Sequence, residues 1–184
     1  MPVFLEKITI FEIFYIILLS GMVYKGTRSG ISAQIISLIG WVVLVFCSLG
    51  YYEYLSKAIF GFMLQDWAKP LSFFALAMVP FIIIKIIEKM IIAAAGEELS
   101  LLERIGGAFV SAIRALVIFG MIGIQILLMP MEQAKTFLLE KTPTALFFVN
   151  IDVDIYSWLT GLTGIKKNID SEDVMMTLLG EKDK

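Results

Sequence analysis

The sequence predicts an all-α integral membrane protein: a bundle of four transmembrane helices followed by a short amphipathic helix. Three observations carry this. Of the 184 residues, 59% are hydrophobic and only 17% charged, with a mean hydropathy of +0.87. A soluble domain of this length cannot hide that much apolar surface, because much of its sequence must face water. Four apolar stretches, each about long enough to cross a bilayer, follow one another. Polar turns separate them, and a tyrosine cluster closes the second, as at a membrane–water interface.

The first span runs from about Ile8 to Tyr24. It carries Glu12 and no small-x-small cleavage site follows it, so it reads as a span rather than a signal peptide. Lys25, Gly26, Arg28 and Gly30 then form a short basic turn. The second span covers about Ile31 to Tyr52, closed by Tyr51, Tyr52 and Tyr54. A loop with Lys57, Asp66, Trp67, Lys69 and Pro70 leads to the third span, about Leu71 to Ile92. Pro80 removes a backbone hydrogen bond there and predicts a kink. Lys85, Glu88 and Lys89 lie in its last turns, where long stems snorkel to the interface. Gly96 ends this segment, and a loop with Glu97, Glu98, Glu103 and Arg104 precedes the fourth span, about Ile105 to Leu128.

Beyond Pro130, residues Met131 to Glu140 suit a short helix. Thr142 and Pro143 read as an N-cap and first helical position. Phe147, Ile151, Ile155, Trp158 and Leu162 then share one helical face, and Asn150, Asp154, Ser157 and Gly161 another. This pattern predicts an amphipathic helix lying along the membrane surface. A strand competes, because Val149, Ile151, Val153 and Ile155 alternate with polar residues. Residues 1–165 thus form one membrane domain, and residues 166–184 a charged, mobile tail.

Composition also excludes functions. The net charge is −2 with no long basic run, so nucleic-acid binding has no electrostatic footprint. The single cysteine, Cys47, allows no internal disulfide and reads as a small packed hydrophobe. There is no histidine, which removes Ser-His-Asp, Cys-His and His-Glu-x-x-His chemistry. The expectation is a protein that is not an enzyme, with no catalytic, cofactor or metal site.

The informative residues are charges placed in apolar runs. Arg114 lies ~13 Å into the fourth span at ~1.5 Å per residue, approaching the bilayer midplane. Two readings stand. Either it faces the bundle interior or a wet cavity, or it snorkels to the cytoplasmic headgroups. Glu12 has two as well: an ion-pairing or proton-carrying carboxylate, or an interfacial group touching water. The predicted topology puts these two charges near opposite faces, so no direct pair is expected. Gly107, Ser111 and Ala115 recur every fourth residue, a small-residue stripe that lets helices approach closely, within the bundle or between protomers. Gly120 and Gly123 add further close-approach positions. Gln34, Ser37, Gly40 and Ser48 give the second span a mildly polar face, read as interhelical hydrogen bonding or as the wall of a water-filled path. Asp152 and Asp154 resemble a metal-binding pair, but two carboxylates alone carry little, and they read rather as the solvated face of the last helix.

Basic residues set the orientation. Lys25 and Arg28 in the first loop, with Lys85, Lys89 and Arg104 around the third, outnumber Lys7, Lys57 and Lys69 on the other side. The positive-inside rule therefore places loops one and three in the cytoplasm and both termini outside.

Taken in order, these residues resemble the colicin V production protein (CvpA) family. The likeness begins at the acidic Glu12 and continues through Gly26-Thr27-Arg28-Ser29-Gly30, similar to the family's G-x-R-x-G turn. Ile35-Ile36-Ser37-Leu38-Ile39-Gly40-Trp41 resembles the opening of its second span. Glu103-Arg104-Ile105-Gly106-Gly107 and the later Arg114 resemble the opening of its last span. The likeness covers about residues 8 to 160. Ser111 and Ala115 stand where the family often has Gly, and Thr142 where Ser often precedes the proline. The resemblance implies a multi-pass bacterial inner-membrane protein needed for toxin production and linked to envelope homeostasis, and names no reaction. An accessory role would use the lipid bilayer and helix contacts with itself or another membrane protein. The alternative is a small oligomeric transporter or channel.

Overall fold

The computed structural model describes residues 10–59, 65–94, 99–164, 174–176 and 178. Among these, the elements are five helices: α1 (Ile10–Ala58), α2 (Gln65–Ala94), α3 (Leu101–Leu128), α4 (Glu132–Lys141) and α5 (Pro143–Thr163). The predicted contributions of Lys7, Gly96, Glu97 and Glu98, and most of the tail, lie outside the described residues. The protein is an all-α membrane bundle. By length and composition α1, α2, α3 and residues Thr144–Thr163 of α5 can each cross a bilayer.

The first two predicted spans are the two arms of α1. Its backbone leaves helical geometry at Gly30, with φ 74° and ψ 166°, a conformation that a side chain rarely tolerates. The arms fold back on each other there, as their neighbours on α3 show. Along the first arm, Tyr15 meets the ring of Phe119, and Gly26 lies against Gly107. Along the second arm, Ile31 lies against Gly106, and Ser37 meets Arg114. The first arm is thus antiparallel to α3 and the second parallel to it.

α2 packs antiparallel on the second arm, where Gly40 seats Ile84, Trp41 meets Phe81 and Tyr52 meets Phe73. It stays helical through Pro70 and Pro80. α3 is the central helix, with buried positions along most of its length, including Val117, Phe119, Ile124 and Leu127. Outward faces are apolar: Ile17, Ile39, Ile83, Ile86 and Phe109 are exposed, as lipid contact requires. Only a bilayer makes such a surface stable.

Helix ends differ from the predicted ones for local reasons. α3 begins at Leu101, a turn before Ile105, because Ser100 and Glu103 form a reciprocal capping box. Glu103 and Arg104 therefore belong to the helix rather than to the loop. Pro143 opens α5 and Thr142 stands at its N-cap, as predicted, but the Thr142 side chain makes no capping hydrogen bond. Its buried hydroxyl instead donates to the Phe137 carbonyl at the end of α4.

The last helix settles the competition between helix and strand at residues 149–155 in favour of helix. Its packed face is neither of the two predicted. Ala145, Phe148, Val149, Asp152, Val153 and Tyr156 turn into the bundle, while Phe147, Trp158 and Leu162 point outward. α5 crosses the bundle from the first arm, at Tyr15 and Phe148, over Gly120 and Gly123 of α3, to Phe46 and Gly50 of the second arm. Contact with α3 selects this face, because the glycines there admit bulky and polar groups alike. Past α5, Leu178 is buried in the core, with Val174 and Met175 packed against it.

Candidate functional site

The small-residue stripe of α3 fixes the site's geometry. Gly107 lies directly against the Gly26 carbonyl and within 3.0–3.1 Å, from the position a Cβ would take, of the Gly30 backbone. One turn on, the Ser111 hydroxyl donates to Gln34 Oε1 at 2.9 Å. A further turn brings Ala115, wholly buried. Both arms of α1 are thereby drawn onto α3 at backbone contact, which is how polar helices associate where lipid removes the hydrophobic driving force.

Arg114 sits within this seam. It lies about 12 Å along α3 from Gly106 at ~1.5 Å per residue, well inside the membrane-crossing part. The residue is only 2% exposed, so the interior reading holds and the snorkelling one does not. Its Nη1 donates to Ser37 Oγ at 2.6 Å and stands 3.8 Å from Glu88 Oε1. Glu88 is itself 3% exposed. Lys25 Nζ donates to Glu88 Oε1 at 2.6 Å, and Lys85 Nζ to Glu88 Oε2 at 3.1 Å. One carboxylate from α2 therefore collects three cations, from the first arm, from α2 itself and from α3. Lys25 and Lys85 remain half-exposed, while the Arg114–Glu88 pair is enclosed. Such a buried pair orders the four segments it joins, because stranding either charge is expensive. Two buried donors, Arg114 Nε and Gln34 Nε2, have no hydrogen-bond acceptor.

The other predicted residues lie around or apart from this cluster. Gly30 alone leaves helical geometry and makes the reversal, Gly26 is a helical position set against Gly107 and Ser111, and Arg28 stacks on the Tyr24 ring at 4.8 Å. Glu103 is engaged in the cap of α3, and Arg104 is exposed. Glu12 does not approach Arg114. It is half-buried at the opposite end of the first arm and accepts a hydrogen bond from Thr144 Oγ1 at 2.7 Å, which ties the first arm to the start of α5. Across the seam Ser37 accepts from Arg114 and Gln34 from Ser111, whereas the buried Ser48 hydroxyl has no hydrogen-bond partner. Among the described residues no group of three or more acidic or cysteine side chains gathers as a metal site.

Two residues matter more than their sequence contexts suggest. The sequence reads Glu88 as interfacial beside Lys85 and Lys89, yet it is the buried centre of the cluster. The signal for this is a carboxylate one helical turn from Lys85, near the level where the sequence places Lys25. Asp152, expected on a solvated face, is wholly buried, while Asp154 is exposed. No local pattern distinguishes these two aspartates. Only the oblique seating of α5 does.

An apolar recess of about 380 Å³ lies between the second arm, α2 and α3, walled by Trp41, Phe73, Phe81, Met121 and Ile126. The polar cluster does not open into it.

No curated protein and no solved structure matches the chain significantly. The family described as colicin V production protein does match, over residues 11–152, a stretch that takes in both arms of α1, α2, α3, α4 and the α5 residues seated on α3. With the turn at Gly26–Gly30, the capped opening of α3 and Arg114 all inside that match, the chain belongs to the colicin V production protein family.

Proposed function

We propose that this protein is a multi-pass accessory factor of the bacterial inner membrane that supports toxin (bacteriocin) production or export and envelope homeostasis. It works through helix–helix contacts with itself or another membrane protein and is not an enzyme. The observation that carries this reading is the family match across nearly the whole bundle. The geometry agrees with it: the intramembrane polar groups are largely spent on holding helices together, and the outward faces are apolar. A scaffold of this kind offers lipid and partner helices a fixed surface.

The Gly30 turn, Lys25 and Lys85 share one end of the bundle, which the positive-inside rule assigns to the cytoplasm. The start of the first arm then lies on the outer side. Impermeant maleimide tests this on intact cells of a Cys47→Ala background. Tyr54→Cys should label from outside and Thr27→Cys should not. The reverse pattern would invert the topology.

The function itself is tested by deleting the gene in its host. The deletion strain should lose survival in detergent and secrete less bacteriocin from a producing plasmid, and plasmid-borne protein should restore both. Unchanged survival and unchanged secretion would remove the proposal.

The half-exposed Lys25 and Lys85 around the enclosed Arg114–Glu88 pair favour a second reading, a small oligomeric transporter or channel. Four short spans enclose little volume, so a pore would need several copies. Solute or ion flux in liposomes containing the purified protein, lost in Arg114→Gln, would select this reading. Absence of flux would leave the accessory role.

A further inference from the structure

Asp152 takes no part in the cluster around Glu88. It projects from α5 onto α3, with zero exposure, and neither carboxylate oxygen has a hydrogen-bond partner. Gly120 makes its place: a Cβ there would collide with the carboxylate and with the Phe148 carbonyl. The surroundings are apolar and aromatic, with Phe148, Val149 and Val153 beside it on α5 and Phe119 beside Gly120 on α3. The titratable and charged groups on the packed elements are Glu12, Tyr15, Tyr24, Lys25 and Arg28 of the first arm, Cys47, Tyr51, Tyr52, Glu53, Tyr54 and Lys57 of the second arm, Glu103, Arg104 and Arg114 of α3, Glu132, Lys135, Glu140 and Lys141 of α4, and Asp154 and Tyr156 of α5. None of them supplies a hydrogen bond to Asp152.

A bare carboxylate cannot stay in such a place, because removing it from water without donors is prohibitive. Something must carry its charge. A metal ion does not fit, since among the described residues no group of three or more acidic or cysteine side chains gathers to hold one and the backbone of Gly120 fills the space against the carboxylate. A proton needs no additional ligand and no additional room. We propose that Asp152 is a proton-binding site at the seam between α3 and α5, and that binding and release of this proton are tied to the docking of α5. In the docked helix the carboxyl group holds its proton. Release breaks the O–H bond and passes the proton to water, which reaches the group only when α5 lifts from Gly120. The intramembrane carboxylate thereby links the proton concentration on one side of the membrane to the position of the last helix. This goes beyond the accessory role and does not depend on it.

Infrared difference spectroscopy on the full-length protein in lipid nanodiscs tests the proposal. The spectrum of the parent minus that of Asp152→Asn, near neutral pH, should show the carbonyl stretch of one neutral carboxylic acid. That band should fade on raising the pH, in step with amide exchange along α5 that quickens beyond the base-catalysed rise shown by α2. In Asp152→Asn, α5 exchange should follow that of α2. Absence of the neutral-acid band in the parent would overturn the proposal. A band that titrates while α5 exchange rises only as α2 does would overturn the coupling to docking. Should Asp152→Asn fail to accumulate, Gly120→Ala serves instead. Its added methyl collides with the carboxyl group and should lift α5, abolishing the band in a protein that still holds the Arg114–Glu88 cluster. A band unchanged in Gly120→Ala would equally refute the site.

Discussion

Arg114 and Glu88 face each other across the bundle at 3.8 Å, with side chains only 3% and 2% exposed. One comes from the central helix and the other from α2, a helix that otherwise packs mainly on the second arm of α1. The pair is therefore a direct polar bond between two elements that would otherwise be joined chiefly through a third. Ser37 of that third element completes it by accepting from Arg114 at 2.6 Å.

The two members of this pair should differ in what their loss costs. Glu88→Gln strands the enclosed Arg114 charge and should destabilise the protein by about 3–5 kcal/mol, whereas Arg114→Gln leaves the carboxylate paired with Lys25 and Lys85 and should cost less. The double variant should lose clearly less than the sum. Lys25→Gln and Lys85→Gln, at half-exposed positions, should each cost no more than about 1 kcal/mol. Thermal unfolding in detergent micelles measures all five proteins. Additive losses would show that Arg114 and Glu88 act independently.

The glycines of the seam should divide sharply by what surrounds them. A methyl at Gly107 meets the Gly26 carbonyl and the Gly30 backbone, and a methyl at Gly26 meets Ser111 within 2.7–2.8 Å. Backbone cannot move aside as a side chain can, so Gly107→Ala and Gly26→Ala should each cost about 1–3 kcal/mol. Gly21 lies in the same arm with nothing within 4 Å. Gly21→Ala should be neutral or stabilising by up to about 1 kcal/mol, through helix propensity alone. Equal effects at Gly21 and Gly107 would contradict the close seam.

The tie between Glu12 and Thr144 should be felt locally. Thr144→Val keeps the shape and removes the 2.7 Å hydrogen bond. It should cost about 0.5–1.5 kcal/mol, and Thr144→Ser should restore most of it. The sensitive readout is amide exchange at the start of α5, which should quicken in Thr144→Val while α2 is unchanged. Equal quickening in both helices would mean that the bond supports the whole bundle.

The spans were legible because lipid demands long apolar runs, and the reversal near Lys25–Gly30 was legible from its charges and glycines, although the chain stays helical up to Gly30. The stripe at Gly107, Ser111 and Ala115 announced close packing. It could not say that both arms of α1 share it, since that follows from the reversal at Gly30. Arg114 was visible as a charge in an apolar run, whereas its partner Glu88 was hidden among flanking lysines that made it look interfacial. Asp152 was invisible for a related reason. Helical periodicity offers several faces, and the one that packs is chosen by the glycines of another helix, far away in sequence.

Leu178 supplies a last test, at the other end of the chain. The residue is 2% exposed and belongs to the same apolar cluster as Leu127, Leu138 and Val149, with Val174 and Met175 packed beside it. A segment that merely trailed from the bundle would contribute nothing to its stability. A buried leucine, by contrast, loses both its own transfer energy and the filled space when cut back. Leu178→Ala should therefore lower stability by about 2–5 kcal/mol, whereas Met176→Ala, at an exposed position of the same segment, should change it by less than about 0.5 kcal/mol. Unfolding in micelles reads the difference. Should Leu178→Ala melt with the parent, the segment does not seal the core, and the bundle is complete at the end of α5.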